Sequence, residues 1–588
     1  MLTPHGILGP QGRIARRLPN YRFRPPQLEM ANAVAEALAQ SRHLIVEAGT
    51  GVGKSFGYLV PAILAVTDPD NDIERVIVST HTISLQEQLL TKDLPLLNAV
   101  IPREFTAVLG KGRGNYISLR RLARASKKER SLFVGAEADQ LDAIHQWLDD
   151  TVDGSLSDLP FEPTPALWQE IESDASNCLR KSCSRYDVCF YYQAQRRMRL
   201  AQIVVVNHAL FFTDLALRAA RARGVLPSYD AVIFDEAHTI ESVAGEYFGI
   251  QVGSGQVAYQ LRRLFNPRTQ KGHLTSKRYE TLRKEVIACD RAARQWFESV
   301  HAKLATRSDS PVSSATPSPV RVLKPIVDPG PLVEKLGRLA VQLHERAGKL
   351  KKPDERVELE SAATRLRVLA SAIQLWSRQE DASLVYWLES QSRRDGSSRI
   401  RLSAAPVDVA PALEKHLFQS VPRVILASAT LTTGQREGFA FFQQRIGLRH
   451  AETLQVGSPF DYDRQMKLIL VRGLPDPGRQ RDAFEQACLR LLPHYLEQTH
   501  GRAFCLFTSY AFLRKATRHL EPWAQEQGIG LFPQGAGTPR HQLLEQFKKH
   551  PAAVLLGTAS FWQGVDVPGE ALQNVIIPKL PFSVPDHP

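Results

Sequence analysis

A glycine-rich loop near the N-terminus has the residue types needed to hold phosphate groups. Residues 48–55 read AGTGVGKS, and they lie between the apolar run HLIVE and the apolar helical pattern of residues 55–66. Glycines let backbone N–H groups turn inward around a phosphate, and the N-terminus of the following helix adds a positive dipole end. A lysine at this spacing reaches the β- and γ-phosphates, and the neighbouring hydroxyl binds Mg²⁺. We therefore expect a nucleoside triphosphate with Mg²⁺ at Ala48, Gly49, Thr50, Gly51, Val52, Gly53, Lys54 and Ser55.

Two adjacent carboxylates follow another apolar run. Residues 232–238 read VIFDEAH. Asp235 can join the Mg²⁺ shell with Ser55, and Glu236 can orient and deprotonate a water that attacks the γ-phosphate. An acidic pair alone more often marks a solvated strand end, but the phosphate-binding loop earlier in the chain favours the catalytic interpretation. We expect Lys54, Asp235 and Glu236 to be the catalytic residues, with ATP as the nucleotide.

Short β-branched runs that lead into helical patterns must position these residues. One series lies at 43–49, 75–80, 105–110, 201–208, 231–236 and 423–430, and a second at 466–471, 502–509, 552–558 and 572–578. Nearly continuous Val/Ile/Leu strands that alternate with helices predict parallel sheets covered on both faces. The sequence therefore predicts an α/β fold with two parallel-sheet lobes.

The spacing of the motifs predicts two insertions into the first lobe. Asp235 follows Lys54 by 181 positions (235 − 54), and Ser428 follows Asp235 by 193 positions (428 − 235). A single α/β lobe needs far fewer residues for these connections. The region 111–200 is rich in Arg, Tyr and Cys, whereas the region 241–400 has mostly helical periodicity.

Composition limits the class of protein. The chain has 588 residues, 43% hydrophobic and 23% charged, with a formal net charge of +13. These values exclude a disordered chain, and the positive balance favours a polyanionic partner such as nucleic acid. No apolar run approaches the roughly 18 residues of a membrane helix, and the N-terminus lacks the apolar core of a signal peptide. Six cysteines in so long a chain do not make a disulfide framework, so we expect a reducing, cytoplasmic location.

Three of the cysteines form a cluster with the spacing of metal ligands. Cys178, Cys183 and Cys189 lie within twelve residues (178–189). Three thiolates at this spacing can reach one metal centre, but a cubane iron–sulfur cluster or a structural zinc usually takes four protein ligands.

Several segments, in their order, resemble the DinG/XPD group of superfamily-two iron–sulfur DNA helicases. DEAH at 235–238 is the hydrolysis motif of this helicase type. The other matching segments span almost the whole chain: YRFRPPQLEMANAV (21–34), VSTHTISLQEQLL (78–90), GKGRGNY (110–116), VVNHALF (205–211), ASATL (427–431), GSPFDY (457–462), LFTSY (506–510) and FWQGVDVPG (561–569). The resemblance implies two RecA-like motor lobes, with an iron–sulfur domain and a helical arch inserted in the first.

This resemblance gives each segment an expected boundary. The expected division is motor lobe 1 at 1–110, the cysteine-cluster domain at 111–200, lobe 1 again at 201–240, the arch at 241–400, lobe 1 at 401–445 and motor lobe 2 at 446–588. In the family, more of lobe 2 follows, including a motif VI with arginine fingers for the γ-phosphate. No such motif occurs here after residue 569, so we expect an incomplete second lobe, most simply because the sequence is a fragment.

The resemblance also implies roles for individual residues. Gln27 is the expected adenine contact, and Asp566 is expected to contact nucleotide or the ASATL segment. Coupling between nucleotide and DNA is expected of His238, Ser428, Thr430 and Gln563. The expected DNA-binding residues are Thr80, His81, Ser509 and Tyr510.

The metal centre is left open by a departure from the family pattern. The family's first cysteine follows GRGNY, but this chain has Ser118 there. The alternatives are a [4Fe–4S] cluster with Ser118 or an external group as the fourth ligand, a [3Fe–4S] cluster, a zinc site, or no metal.

The sequence thus supports two main hypotheses. The first is an ATP-dependent DNA helicase that moves 5′→3′ on single-stranded and forked DNA in repair or replication, acting as a monomer away from membranes; polarity and role come from the resemblance alone. The second is a protein that binds ATP and single-stranded DNA without productive hydrolysis, because motif VI is missing. An RNA-directed motor is a further alternative, which the cysteines and the double insertion disfavour.

Overall fold

The computed structural model describes residues 2–18, 21–81, 83–127, 136–222, 224–305, 319–392, 398–434, 438–535, 538, 540–562, 565, 567 and 569–582. The chain divides into two compact units, the first ending at Pro459 and the second beginning at Phe460. No described helix is both long enough and apolar enough to cross a membrane.

A parallel sheet forms the centre of the first unit. Its strands are β1 (Leu44–Ala48), β2 (Val76–Thr80), β3 (Ala107–Leu109), β4 (Ile203–Asn207) and β5 (Ala231–Asp235), together with two strands from later in the chain, Arg423–Ser428 and Glu452–Val456. From one edge of the sheet to the other, the strand order is Glu452–Val456, β1, Arg423–Ser428, β5, β2, β4 and β3. All of these pairs are parallel, which confirms the predicted α/β fold.

Alternate residues of each strand fill two separate hydrophobic cores. Val76 and Val78 pack into the core that contains the helices Pro25–Ala39 and Lys54–Val66, whereas Ile77 between them packs into the opposite core. Because successive side chains of a strand point to opposite faces, the continuous β-branched runs bury both faces of the sheet. The other α-helices of this part are Pro4–Leu8, Arg13–Arg17, Ile83–Gln88, Leu94–Val100, His208–Ala219, Ile240–Tyr247, Ala410–Leu413 and Ala440–Ile446.

The region between β3 and β4 is a compact insertion with its own small core. It contains the helices Leu119–Lys127, Ala136–Asp150, Pro165–Ile171 and Phe190–Leu200. Its core is built from Ile117, Leu122, Ile144, Trp168 and neighbouring apolar residues. The three clustered cysteines lie between the last two of these helices.

The region between β5 and the strand Arg423–Ser428 is helical, as predicted, but it also contains an antiparallel sheet. Its long helices are Ser254–Leu264, Glu280–Ala305, Gly330–Gly348 and Pro353–Arg378. Its strands are β6 (Ile250–Gly253), β7 (Val320–Arg321), β8 (Leu384–Ser392) and β9 (Ser398–Pro406), in the order β6-β9-β8-β7. The sequence prediction missed this sheet because the helical periodicity of the region dominated the pattern.

The two insertions pack against each other through buried charged side chains. Glu358, on the helix Pro353–Arg378, accepts hydrogen bonds from Arg124 and Asn177 of the cysteine region and from Arg263 of the arch region. Arg263 in turn pairs with Glu170 of the cysteine region. Glu358 and Arg263 have side chains that are only 5% and 6% exposed. The contact is therefore a buried ionic network rather than a purely apolar one.

The second unit contains a smaller parallel sheet. In the first sheet, the strands Arg423–Ser428 and Glu452–Val456 are β10 and β11. The strands of the second unit are β12 (Ala503–Leu506), β13 (Gly530–Pro533), β14 (Ala553–Gly557) and β15 (Asn574–Ile576). Their order in the sheet is β13-β14-β12-β15. Its helices are Tyr462–Gln465, Arg481–Glu497, Tyr510–Gln527, Arg540–Lys549 and Ala559–Trp562.

Two features near the start of this unit differ from the sequence prediction. Strand β11 completes the sheet of the first unit, so the division falls after Pro459 rather than at residue 446. Residues 466–471, which the sequence predicts as a strand, belong to no described strand, and Leu468 and Leu470 are each 71% exposed. A strand needs a neighbouring strand to pair with, and no described strand pairs with this segment.

Candidate active site

The phosphate-binding loop connects β1 to the helix Lys54–Val66, as the sequence predicts. Gly51 and Gly53 both have φ of +84°, a left-handed conformation that favours glycine. A side chain at Gly53 would also collide with Gln27, whose Nε2 would lie 2.2 Å from an added Cβ. The glycines are therefore required by the backbone of the loop and by its close packing.

Gln27, the expected adenine contact, is buried against this loop. Its Nε2 donates a hydrogen bond of 3.0 Å to the carbonyl oxygen of Gly53. The Tyr21 hydroxyl lies 3.5 Å from its Oε1 and donates to the carbonyl of Leu8 at 2.6 Å. Gln27 thus supports the loop in this structure, and its contact with adenine stays a prediction.

Parallel pairing brings the carboxyl ends of three strands together. Ala427 on β10 is in register with Asp235 on β5, and Ser428 on β10 is in register with Glu47 on β1. As a result, the side chains that follow these strands meet at one edge of the sheet. Lys54 Nζ lies 3.7 Å from Glu236 Oε1, so the loop lysine and the expected base are adjacent.

Asp235 is held in a buried, hydrogen-bonded position. Its Oδ2 accepts a hydrogen bond of 3.0 Å from the Tyr58 hydroxyl, and its Oδ1 accepts one of 3.0 Å from the backbone N–H of Glu236. Burial and the neighbouring Glu236 carboxylate raise the pKa of Asp235 to about 6, although Lys54 opposes this shift. Such a carboxylate is stabilised by a nearby cation, as expected for a Mg²⁺ ligand.

Tyr58 is a site residue that the sequence analysis missed. Burial raises the pKa of this fully buried phenol well above its ordinary value, so it stays protonated and donates to Asp235. The Ser55 hydroxyl is hydrogen-bonded to the same phenol, which places both expected Mg²⁺ ligands around one oxygen atom. The signal in the sequence was the spacing, because Tyr58 follows Lys54 by one helical turn and shares its face.

Glu236 has a left-handed backbone, with φ of +57° and ψ of +46°. A non-glycine residue in this region is strained, and such strain clusters at functional sites. The turn directs the chain from β5 into the short helix Ala237–Thr239. It leaves the Glu236 carboxylate between Lys54 and His238, whose Nδ1 is 3.5 Å from Glu236 Oε2.

The expected coupling residues make a direct link between two strands. His238 Nδ1 lies 2.8 Å from Ser428 Oγ, and the backbone N–H of Thr430 lies 3.5 Å from the same oxygen. The acidic pair and the segment 428–430 are therefore joined through side chains.

The expected DNA contacts of the first unit differ in accessibility. The side chain of Thr80 is buried at the end of β2, whereas His81 is exposed. Next to them, Ser79 Oγ lies 2.7 Å from Nδ1 of His208, a buried residue whose ring packs near Phe234. Burial, followed by repulsion from His81, lowers the pKa of His208 to about 3, so its ring is neutral. Of the two expected contacts, His81 is the one that presents its side chain to solvent.

In the second unit, Ser509 and Tyr510 begin a helix. Ser509 Oγ accepts a hydrogen bond of 3.3 Å from the backbone N–H of Phe512 and so caps the helix Tyr510–Gln527. The ring of Tyr510 is 47% exposed. The expected coupling residue Gln563 and the expected nucleotide contact Asp566 lie outside the described residues.

The three cysteines and Ser118 line one small cavity of about 20 Å³. All three thiols are free and partly buried. Among the described residues, no three His, Cys, Asp or Glu side chains are grouped closely enough to hold a single metal ion. The three thiols and the Ser118 hydroxyl are thus potential ligands that share one cavity.

The environment of Cys178 favours its thiolate form. Burial raises the pKa of Cys178, but the Arg113 guanidinium and the backbone N–H of Arg180, 3.3 Å from the sulfur, outweigh this effect and lower it. At Cys189 the balance is opposite, because burial raises the pKa more than the backbone N–H groups of Tyr192 and Tyr191 lower it. Thiolates are the metal-binding form of cysteine.

Three parts of the chain match known protein families. Residues 25–135 match the DEAD/DEAH box helicase family, residues 169–257 match the DEAD_2 family, and residues 492–588 match the helicase C-terminal domain family. The first match contains the phosphate-binding loop, the second contains the cysteines and the acidic pair, and the third contains Ser509 and Tyr510.

A solved structure shares the fold of the whole chain. A protein titled XPD helicase superposes with a TM-score of 0.52 at 14% identity, covering 96% of this chain and 86% of the other. Identity at this level shows the fold alone.

Curated relatives are similar over almost the full length. The chain is 33% identical to the ATP-dependent DNA helicase YoaA of Escherichia coli (strain K12), covering 98% of this chain and 85% of the relative. It is 31% identical to the ATP-dependent helicase DinG of Mycobacterium tuberculosis (strain ATCC 25618 / H37Rv), covering 96% and 82%. Identity of this extent over most of both chains shows that this protein belongs to the DinG/YoaA family of ATP-dependent DNA helicases.

Proposed function

We propose that this chain hydrolyses ATP at the phosphate-binding loop and the Asp235–Glu236 pair to move 5′→3′ along single-stranded DNA and open forked duplexes, in repair or replication. The observation that carries the proposal is the meeting of Lys54, Asp235, Glu236, His238 and Ser428 at one sheet edge. The names of the relatives support DNA as the polymer. The polarity and the role in repair rest on the family resemblance.

Each residue at this edge has a distinct task in the proposal. Lys54 holds the β- and γ-phosphates, while Ser55 and Asp235 hold Mg²⁺, which would neutralise charge that develops on the phosphates. Tyr58 fixes the orientation of Asp235. Glu236, whose backbone is fixed in the left-handed turn, orients the attacking water and accepts its proton.

The DNA path in the proposal uses exposed side chains near the strand ends. His81 in the first unit and Tyr510 in the second are accessible to a strand. An aromatic ring such as Tyr510 stacks on a base of any sequence, as a translocating motor requires. The buried Thr80 contributes through its backbone position rather than through its side chain.

ATP hydrolysis by the 588-residue chain, with and without single-stranded DNA, tests the proposal. We expect DNA to stimulate turnover and Lys54→Ala to abolish it, and we expect unwinding of partial duplexes with a 5′ overhang but not with a 3′ overhang. Binding of ATP and DNA without turnover would favour the alternative, a ligand-controlled clamp. Equal stimulation by RNA would contradict a DNA-specific motor.

We also propose that the cavity around Cys178, Cys183 and Cys189 holds an iron–sulfur cluster, with Ser118 facing the iron that lacks a thiolate. The donor set supports this, because three thiols and the Ser118 hydroxyl share one cavity that Arg113 and Arg185 also line. A cluster bound by three thiolates carries negative charge, which these guanidinium groups offset. Zinc or an empty cavity are the alternatives.

Metal analysis of anaerobically purified protein decides among these alternatives. We expect iron and acid-labile sulfide, with a labile fourth iron that converts between [4Fe–4S] and [3Fe–4S] forms in the electron paramagnetic resonance spectrum. Ser118→Cys supplies a fourth thiolate and should retain all four irons, whereas Ser118→Ala should lose the fourth iron faster than the wild type. Stoichiometric zinc, or neither iron nor zinc, would overturn the cluster.

A further inference from the structure

Glu47 joins the phosphate-binding loop to two other parts of the first unit. It is the residue before Ala48 on β1, and its carboxylate accepts hydrogen bonds from four donor groups. The backbone N–H groups of Leu431 and Thr432 donate to Oε2 at 2.5 and 2.7 Å. The Thr432 hydroxyl and Gln455 Nε2 donate to Oε1 at 2.9 and 2.7 Å. One side chain thereby connects three elements that are distant in sequence.

The partners of Glu47 lie in positions suited to relay a movement. Leu431 and Thr432 directly follow the segment 428–430, whose Ser428 contacts His238 of the acidic motif. Gln455 is on β11, the last strand before the second unit begins at Phe460. Ser458, just after this strand, also lies against the loop, 3.6 Å from the position of a Cβ at Gly49.

The sheet itself does not need this carboxylate. The backbone of β1 already pairs with β10 and β11 at this level, because Glu47 is in register with Ser428 and with Gln455. Glu47 is partly buried, and a carboxylate that loses part of its water needs hydrogen-bond donors in its place. Burial raises the pKa of Glu47, but the four hydrogen bonds outweigh burial and lower it, so the side chain is an ion held by neutral donors.

We propose that Glu47 is a positioning residue that transmits the nucleotide state of the loop 48–55 to the segment 428–432 and to β11. The proposal rests on the proposed function, since it concerns the coupling of ATP to DNA binding. Entry or loss of phosphate changes the loop at Ala48, one residue from Glu47. Short charge-assisted hydrogen bonds resist stretching, so a shift of Glu47 carries Leu431, Thr432 and Gln455 with it.

Glu47→Gln is the direct test, because an amide has nearly the same shape but one acceptor oxygen. In one orientation its NH₂ group would face the N–H donors of Leu431 and Thr432, and in the other it would face the Nε2 of Gln455. The matched control is Glu36→Gln, an exposed residue whose carboxylate accepts a hydrogen bond from Gln40 at the end of its own helix. If Glu47→Gln does not fold, Gln455→Ala combined with Thr432→Val removes two of the four hydrogen bonds and keeps the carboxylate.

The measurement is the affinity for a fluorescent oligo-dT strand in the presence of ADP and of a non-hydrolysable ATP analogue. We expect the ratio of the two affinities to be at least tenfold in the wild type and in Glu36→Gln, and to fall to within about twofold of unity in Glu47→Gln. Affinity for the nucleotide itself should change less than about threefold. A purely structural role would lower both DNA affinities together and leave their ratio unchanged.

The outcomes separate this proposal from the proposed function. A ratio near unity in the wild type would mean that the protein does not couple nucleotide to DNA, and both proposals would fail. A large ratio in the wild type that persists in Glu47→Gln would overturn the role of Glu47 and leave the proposed function intact. Loss of nucleotide affinity with the ratio preserved would likewise overturn it, because Glu47 would then serve the loop alone.

Discussion

The ionic contact between the two insertions predicts a large effect of one isosteric substitution, Glu358→Gln. The Glu358 carboxylate accepts from Arg124, Arg263 and Asn177, and its side chain is 5% exposed. The change removes one negative charge but keeps the shape of the side chain. Arg263 keeps its partner Glu170, whereas Arg124 loses its carboxylate.

The magnitude follows from the burial of these groups. Breaking a buried ion pair by removing one partner costs about 3–5 kcal/mol, since the remaining charge is left uncompensated. The amide oxygen of Gln still accepts one hydrogen bond, which returns about 1 kcal/mol. We therefore expect a loss of about 3 kcal/mol in the unfolding free energy of the insertions, which corresponds to a decrease of roughly 6–12 °C in their melting temperature.

Scanning calorimetry, with hydrogen exchange to locate the transition, measures this effect. The matched control is Glu360→Gln, two residues further along the same helix, where the carboxylate is 32% exposed and pairs with Arg356. An exposed pair within one helix contributes about 0.3–0.5 kcal/mol, so this variant should melt close to the wild type. If the two variants melt at the same temperature, the buried network does not hold the insertions together and the reasoning fails.

Three further predictions concern single side chains. Tyr58→Phe removes the hydrogen bond to Asp235, and a hydrogen bond to a charged group contributes about 1.5–3 kcal/mol. We therefore expect the Mg²⁺ concentration for half-maximal ATP hydrolysis to rise about tenfold. A shift below twofold would contradict this role of Tyr58. His273 is buried, and burial lowers its pKa to about 4. As the pH decreases, the unfolded chain therefore binds a proton at this histidine near pH 6.5, before the folded chain does. We expect the free energy of unfolding to fall by about 3 kcal/mol between pH 6.5 and pH 4. His273→Gln should remove that part of the pH dependence of the melting temperature, and an unchanged profile would refute it. Tyr510→Ala should weaken binding of single-stranded DNA about tenfold in an anisotropy titration if the exposed ring stacks on a base, and unchanged affinity would exclude stacking.

The sequence by itself determined the features that depend on neighbours along the chain. The loop 48–55 and the strand before Asp235 could be recognised because each requires particular residue types within a few positions. The alternation of buried side chains along β2 also follows from local periodicity, so the two-faced parallel sheet was predictable. The spacing between Lys54, Asp235 and Ser428 was enough to require two insertions.

Contacts between distant segments were decided only by the tertiary structure. No local pattern shows that Tyr58 donates to Asp235, that Thr80 is buried, or that Glu47 accepts hydrogen bonds from residues about 380 positions away. The addition of β11 to the first sheet is of the same kind, since its partner β1 lies at the other end of the unit. Propensity and periodicity act over a few residues, whereas strand order and burial depend on how the whole chain packs. The reactive residues can therefore be recognised from short stretches of sequence. The distances between them and the protonation of their side chains depend on the tertiary fold.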